Sequence, residues 1–144
     1  MMADDDLFID DYFIEILVFL SNTKPDMASP QWLRGNDIYR GVETTRKVKY
    51  IEYQASCGHA PGVIYNVNRA REFLPLITER VEKNCSAALT YPQVLLCISL
   101  LLNGDNCWHI AYPVAKEGHG LPSGINRFFW KPILVICFET SAGG

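Results

Sequence analysis

Val94-Leu95-Leu96-Cys97-Ile98-Ser99-Leu100-Leu101-Leu102 is the most apolar stretch of the chain, interrupted only by Ser99 and closed by Asn103-Gly104-Asp105-Asn106. A short continuous apolar run bounded by turn residues reads as a buried strand, and the Asn-Gly loop behind it reads as a hairpin connection. Downstream, Trp108, Ile110, Tyr112 and Val114 alternate with Cys107, His109, Ala111 and Pro113, the period-two pattern of a second strand. Gly118 to Gly124 reads as a loop, 125–130 as a third strand, Lys131-Pro132 as a tight connection and 133–140 as a fourth strand. Short links favour antiparallel neighbours, so 94–102, 107–115, 125–130 and 133–140 are predicted to pair consecutively. Val94, Leu96, Ile98, Leu100, Ile110, Phe129, Leu134 and Ile136 are the leading core candidates.

Working outward, Val67, Ala70, Phe73 or Leu74, Ile77 and Val81 recur at helical spacing and predict the main helix over 67–82. Asn66 or Asn68 is placed to cap it, and Pro75 inside it removes one backbone hydrogen bond, which predicts a kink or a restart. Cys57-Gly58-His59-Ala60-Pro61-Gly62 reads as a turn, and the mixed β-favouring residues of 42–53 as one or two exposed strands. Residues 8–20 form an apolar helix or strand. After them, Asn22, Pro25, Pro30, Gly35 and Gly41 punctuate a loop that Trp32 and Leu33 pin to the body. The expected fold class is therefore α+β: one main helix on a four-stranded antiparallel sheet, with an N-terminal extension and a hairpin. A length of 144 residues suits one domain, with 1–41 packed as an extension on a core of 42–144.

Apolar residues make up 49% of the chain and charged ones 20%, the balance of a globular protein. A net charge of −3 argues against a coat for phosphate backbones, which gains its affinity from a cationic excess. Asp4, Asp5, Asp6, Asp10, Asp11 and Glu15 lead the chain and Arg34, Arg40, Arg46, Lys47 and Lys49 follow, which reads as two solvated surfaces. The apolar run from Tyr12 to Leu20 is too short to span a bilayer and holds Glu15; no membrane role is expected. The acidic start is unlike a secretory signal, so secretion implies a signal peptide already removed.

Cys57, Cys85, Cys97, Cys107 and Cys137 include no C-x-x-C pair, and no metal site or cofactor is expected. Buried thiols or one to two disulfides stay open, with Cys57 the leading disulfide candidate because its turn can be tied to the sheet. Asn84-Cys85-Ser86 fits the glycosylation acceptor pattern. No phosphate-loop, dinucleotide, zinc-protease or nucleophile-elbow pattern occurs. Three histidines, His59, His109 and His119, are the natural acid–base groups near neutral pH, with Glu117 or Glu139 as a partner. Cys57 with His59, and Cys107 with His109, are the nucleophile–base pairs that sequence proximity offers.

The chain resembles guanyl-specific microbial ribonucleases and, more closely, the ribonuclease-like secreted effectors of powdery mildew fungi, over roughly 53–144. The resemblance rests on Tyr53 with Cys57-Gly58, Asn66-Val67 and Ala70, Tyr91-Pro92, Tyr112-Pro113-Val114, Asn126-Arg127-Phe128-Phe129 and Ser141-Ala142-Gly143-Gly144. Tyr53-Gln54-Ala55-Ser56-Cys57 stretches the effectors' Tyr-x-Cys, and their cysteine beyond the last strand is missing. The family's catalytic glutamate falls on Ala111, one histidine among Gln93, Val94 and Leu95, and the other near Phe138; Arg127 alone matches, as the phosphate-stabilising arginine.

The resemblance thus implies a scaffold without catalytic residues, secreted and acting in the host cell cytoplasm. It implies binding of a host protein or RNA, and recognition by a plant immune receptor. Binding candidates are Trp108, His109, Tyr112, Lys116, His119 and Arg127. Two other readings stand beside it: an intracellular protein-interaction domain of unrelated origin, and an active small ribonuclease using His109, His119 and Glu117. The oligomeric state is open.

Overall fold

The computed structural model describes residues 6–118. It is an α+β fold of five helices and a six-stranded mixed sheet, open rather than closed, among the described residues. The chain runs through β1 (Asp6–Phe8), α1 (Phe13–Thr23), β2 (Met27–Arg34), β3 (Asp37–Arg40) and β4 (Arg46–Lys47). A 3-10 turn at Tyr50–Glu52 leads into α2 (Tyr53–Cys57), β5 (Ile64–Tyr65), α3 (Val67–Glu82), α4 (Ser86–Thr90), α5 (Pro92–Leu102) and β6 (Cys107–Glu117).

The sheet is organised by β2 and β6, which run parallel from Met27↔Cys107 to Leu33↔Lys116. On its outer side β2 carries β5 at its start and β3 at its end; β6 likewise carries β4 and then β1, every one of these pairings antiparallel. Six successive residues of β2, Met27 to Trp32, are buried, as a strand covered on both faces must be. Pro30 sits inside this central strand. It is accommodated because the β2–β6 register shifts between Pro30 and Gln31 and again between Gln31 and Trp32, and Pro113 of β6 lies opposite Gln31. At the bulge, the amide of Ala111 donates to Thr45 Oγ1 at 3.0 Å, so the backbone donor displaced from the ladder is satisfied.

Both faces are filled. Ile16 and Leu20, one turn apart on α1, pack with Ala28, Trp32, Ile64, Ile110, Val114 and Ala115 in one cluster. Met27 and Cys107 pack with Cys57 of α2 and Cys97 and Leu100 of α5 in another, with Phe73 of α3 against it. α1 ends where Lys24 turns left-handed at φ 47°, its amide donating to Leu20 O. Asn66 caps α3 as expected, its side chain accepting from the amides of Asn68 and Arg69. The helix over 67–82 is present, and it continues through Pro75 as one element. Arg69 fastens it by an ion pair to Asp26 at 3.2 Å and a hydrogen bond to Asn103 O.

Four expectations are corrected. The stretch 94–102 is helical, not a strand: Pro92 occupies the first turn, where its missing amide costs nothing, and five leucines favour a helix over the two β-branched residues present. Ser99, the one polar interruption, donates back to Leu95 O at 2.8 Å, a bond available to serine within a helix. The supposed loop of 22–41 holds the end of α1, the central strand β2, and β3. Arg34↔Asp37 pairing leaves Gly35-Asn36 as a two-residue hairpin, with Gly35 at φ 61° as such a turn requires. The expected exposed strands of 42–53 shrink to Arg46–Lys47 followed by the 3-10 turn and the first residue of α2. The consecutive antiparallel order gives way to the mixed sheet; 107–115 is a strand as expected, while 125–130 and 133–140 lie outside the described residues. Of the core candidates, Leu100 and Ile110 are fully buried, Val94, Leu96 and Ile98 are half-buried, and Phe129, Leu134 and Ile136 lie outside the described residues.

Leu100 and Leu102 separate the two readings of this stretch, because residues two apart share a face in a strand but not in a helix. Leu100 is 0% exposed and Leu102 65%. Leu100→Ala is expected to lower the unfolding free energy by about 2–5 kcal/mol and Leu102→Ala by less than about 0.5 kcal/mol, measured by urea denaturation.

Candidate functional site

A cleft of about 500 Å³ opens between β3, α2 and the α4–α5 corner. Tyr39 and Arg40 come from β3, Tyr53, Gln54 and Ala55 from α2, Gly58 and His59 from the turn that follows, and Ala87, Tyr91, Val94 and Leu95 from the far wall. Its shape depends on glycine at position 58, since a Cβ there would lie 2.6 Å from Gln54 O. Tyr39 and Tyr91 are each about half exposed at the mouth.

Beneath the mouth lies a ring cluster. Trp32 stands with its centroid 4.0 Å from that of His59 and 5.4 Å from that of Tyr39, and His59 meets Tyr39 edge-on at 5.5 Å. The Arg34 guanidinium sits 4.0 Å from the Tyr39 ring centre, a cation–π distance. Trp32 is itself fixed from the other side, its Nε1 donating to Asp6 Oδ1 at 3.1 Å.

Arg40 sets the cleft's electrostatics. It is 2% exposed, and its guanidinium donates to three backbone carbonyls: Pro30 O from Nε at 3.3 Å and Nη2 at 2.6 Å, and His59 O and Pro61 O from Nη1. Burial lowers its pKa to about 10, so it stays charged at neutral pH. A guanidinium has five N–H donors, and the four bonds to carbonyls leave one on Nη2 for a further acceptor. No carboxylate forms a hydrogen bond with Arg40 among the described residues. The cleft therefore joins a cationic group to aromatic walls, and its lining includes one histidine and no carboxylate.

The residues singled out from sequence lie elsewhere. Trp108 and Tyr112 point to the side of the sheet that α1 covers: Trp108 meets Phe19 edge-on at 5.6 Å, and Tyr112 stacks on Tyr12 at 5.3 Å. Trp108 Nε1 donates to Asn106 Oδ1, and Lys47 Nζ lies 5.8 Å from its ring centre. Lys116 is exposed near the other end of β6, paired in register with Leu7 and Leu33. His119 and Arg127 lie outside the described residues, and with them the expected convergence of Trp108, Tyr112 and Arg127 at one open face.

His109 is 0% exposed between Ser29 of β2 and Arg46 of β4. Neither of its ring nitrogens has a hydrogen-bond partner among the described residues. Burial, and then the Arg46 cation, push its pKa down to about 4. Arg46 is held over it by a two-bond pair with Glu52, whose carboxylate the same contact, together with the Lys49 amide, holds down to about 2. Glu117, the partner that an acid–base reading would give His109, is eight strand residues away, roughly 26 Å, and pairs with Arg34 at 3.5 Å. Cys107 shares the buried face with His109, and burial raises its thiol to about 12, which keeps it protonated. Among the described residues no three His, Cys, Asp or Glu side chains are grouped to hold a metal, and no helix is long and apolar enough to cross a membrane.

No protein-family model matches the chain, and no curated protein or solved structure matches it. The cleft was missed in the sequence because β3, the turn after α2 and the start of α5 come from segments read as loop, turn and strand. The available signal was the density of aromatic residues around the Gly35-Asn36 hairpin, Trp32, Tyr39 and, after the turn, His59.

His109 makes stability depend on pH. Its folded pKa lies below its unfolded value of 6.5, so between pH 4 and 6.5 the unfolded chain binds the extra proton and stability rises with pH. The slope approaches about 1.4 kcal/mol per pH unit for one proton, and the contribution is complete above pH 6.5. Denaturation midpoints of wild type and His109→Gln across pH 4–7 are expected to show a flatter profile for the variant.

Proposed function

We propose that this chain is a non-catalytic binding module whose cleft takes a nucleotide unit of single-stranded RNA. The observation that supports this reading is the buried Arg40 guanidinium, with one donor unspent and no carboxylate bonded to it among the described residues, at the base of a cleft walled by Tyr39, Tyr53, Tyr91 and His59. An unpaired base stacks on aromatic side chains whatever its sequence, and a phosphate accepts from a guanidinium. Cleavage through the ribose hydroxyl needs a base and an acid at the scissile bond. The cleft offers a single histidine, while His109 is sealed in the sheet and Glu117 stands at the far end of β6.

The wider role as a secreted effector in a host plant cell rests on the sequence resemblance alone. The helical 92–102 and the parallel central pair subtract from it, because the resemblance implied an antiparallel sheet there. A second reading, the protein-interaction domain, is favoured by exposed apolar side chains: Ile14 and Val18, one turn apart on α1, and Phe8 of β1, which meets Phe13 at the start of that helix, are each more than half exposed.

Binding of a fluorescently labelled short single-stranded oligoribonucleotide is expected, with the RNA intact afterwards. Tyr39→Ala and Tyr91→Ala are each expected to weaken it by about 1–3 kcal/mol, the worth of a base stacked on an aromatic ring. The salt dependence should be shallow, since one arginine neutralises few phosphates. Equal affinity in both variants would remove the cleft from the reading, and turnover of the RNA would replace it with the enzyme reading.

A further inference from the structure

Asn84 closes α3. The helix gives way at Lys83 to a left-handed Asn84 at φ 54°, whose amide donates to Val81 O at 2.9 Å while that of Cys85 donates to Arg80 O at 2.9 Å. This crossed pair of bonds satisfies the last carbonyls of a helix and asks nothing of the side chain, so that glycine serves as well. The Asn84 carboxamide accordingly makes no hydrogen bond among the described residues, and the residue is exposed.

Ser86 is equally unused. A serine that starts a helix for structural reasons stands at the cap, where its oxygen accepts from the first free amides. Here the cap is Cys85, with no side-chain hydrogen bond, and Ser86 is the first residue of α4, exposed and unbonded among the described residues. Two polar side chains that the fold does not employ thus stand two residues apart as Asn84-Cys85-Ser86, the one Asn-x-Ser/Thr triplet in the chain. Such a triplet is an acceptor only where it is accessible, and this one lies on the surface turn joining α3 to α4.

We propose that Asn84 is a modification site, taking an N-linked oligosaccharide from a polyisoprenyl diphosphate carrier. In the transfer Asn84 Nδ2 bonds to C1 of the first sugar and the amide gives up one proton. The bond from C1 to the carrier's diphosphate oxygen breaks, and the diphosphate leaves with that electron pair. Ser86 supplies the hydroxyl by which the triplet is recognised. The sugar is carried by a side chain that has no hydrogen bond to lose, and the backbone bonds that end α3 are kept. Asn84 is not among the residues lining the cleft, so its modification is independent of RNA binding; it rests instead on the secreted reading, because the transfer takes place in a secretory compartment.

The full chain is placed behind a cleavable signal peptide and expressed in a eukaryotic secretory host beside a glycosylated reporter. Translocated chain, secreted or retained, is recognised by loss of the signal and mapped by mass spectrometry before and after treatment with peptide N-glycosidase. The peptide holding Asn84 is expected to carry a glycan that the enzyme removes, converting the asparagine to aspartate. Ser86→Ala is expected to abolish the glycan and Ser86→Thr to keep it, since threonine retains the hydroxyl; neither change touches the backbone bonds at the helix end. Unmodified Asn84 in translocated chain beside a glycosylated reporter, or a glycan that persists in Ser86→Ala, would overturn the site. The appended signal makes the result independent of the chain's own route, so failure at Asn84 and failure of the secreted reading are told apart.

Discussion

The parallel pairing of β2 with β6 is the constraint from which the rest of the fold follows. A parallel pair has no hairpin to close it and is stable only when both faces are covered, so the chain between Arg34 and Cys107 must cross over and return with helices. It does so with α2, α3 and α5 against one face, while α1, ahead of β2, covers the other. The outer edges of both strands are then capped by short antiparallel pieces, two on each side, which leaves no long unpaired edge on the central pair. Pro30, opposite Ile110, and Pro113, opposite Gln31, flank the shifted register and are tolerated because neither has to supply a ladder bond there.

Arg40 plays the corresponding part for the cleft. A charge taken out of water is costly unless its donors are met, and here carbonyl oxygens from β2 and from the turn after α2 meet four of its bonds. The same bonds fix the backbone of residues 59–61 against β3, so the turn that carries His59 into the ring cluster is held by a side chain from the opposite wall. Carbonyls satisfy hydrogen bonds without neutralising charge. The site therefore keeps a cationic character that an ion pair with a carboxylate would have cancelled, and in a cleft with apolar walls that field is weakly screened.

What could be read from the sequence followed how local each signal was. Asn66 and the periodic apolar residues behind it specify α3 within one stretch of chain, and the alternation of 107–115 specifies β6. The run 94–102 is apolar on every side and carries no period to choose between strand and helix. Tyr91-Pro92 and the leucine content were the arbiters, and the hairpin loop behind it outweighed them. β2 was hidden for a different reason: Pro30 marks a loop in most sequences, and the bulge that rescues it is formed with β6, distant in the chain. The Gly35-Asn36 signal next to it was legible and was read only as punctuation. Of the site, single residues were visible but their meeting was not, because Tyr39, Tyr53 and Tyr91 converge only through the crossover.

The distribution of titratable groups among the described residues supports the binding role proposed above. Among the described residues, His109 and Glu117 are held apart by the fold: His109 is sealed beneath Arg46 and the central strand, and Glu117 is drawn to Arg34 at the sheet's far end. Aromatic groups are gathered, with three tyrosines and a histidine around one opening backed by Trp32. A reaction through a phosphate needs an acid and a base within hydrogen-bond reach of the same atoms, and among the described residues His109 and Glu117 are not placed to serve as that pair. Recognition needs flat surfaces and a fixed charge at set separation, and these are what β3, α2 and the α4–α5 corner bring together. Their separation is fixed by α2 and α5, which rest on β2 through Ser56 and Met27, so the pairing that orders the sheet also sets the width of the cleft.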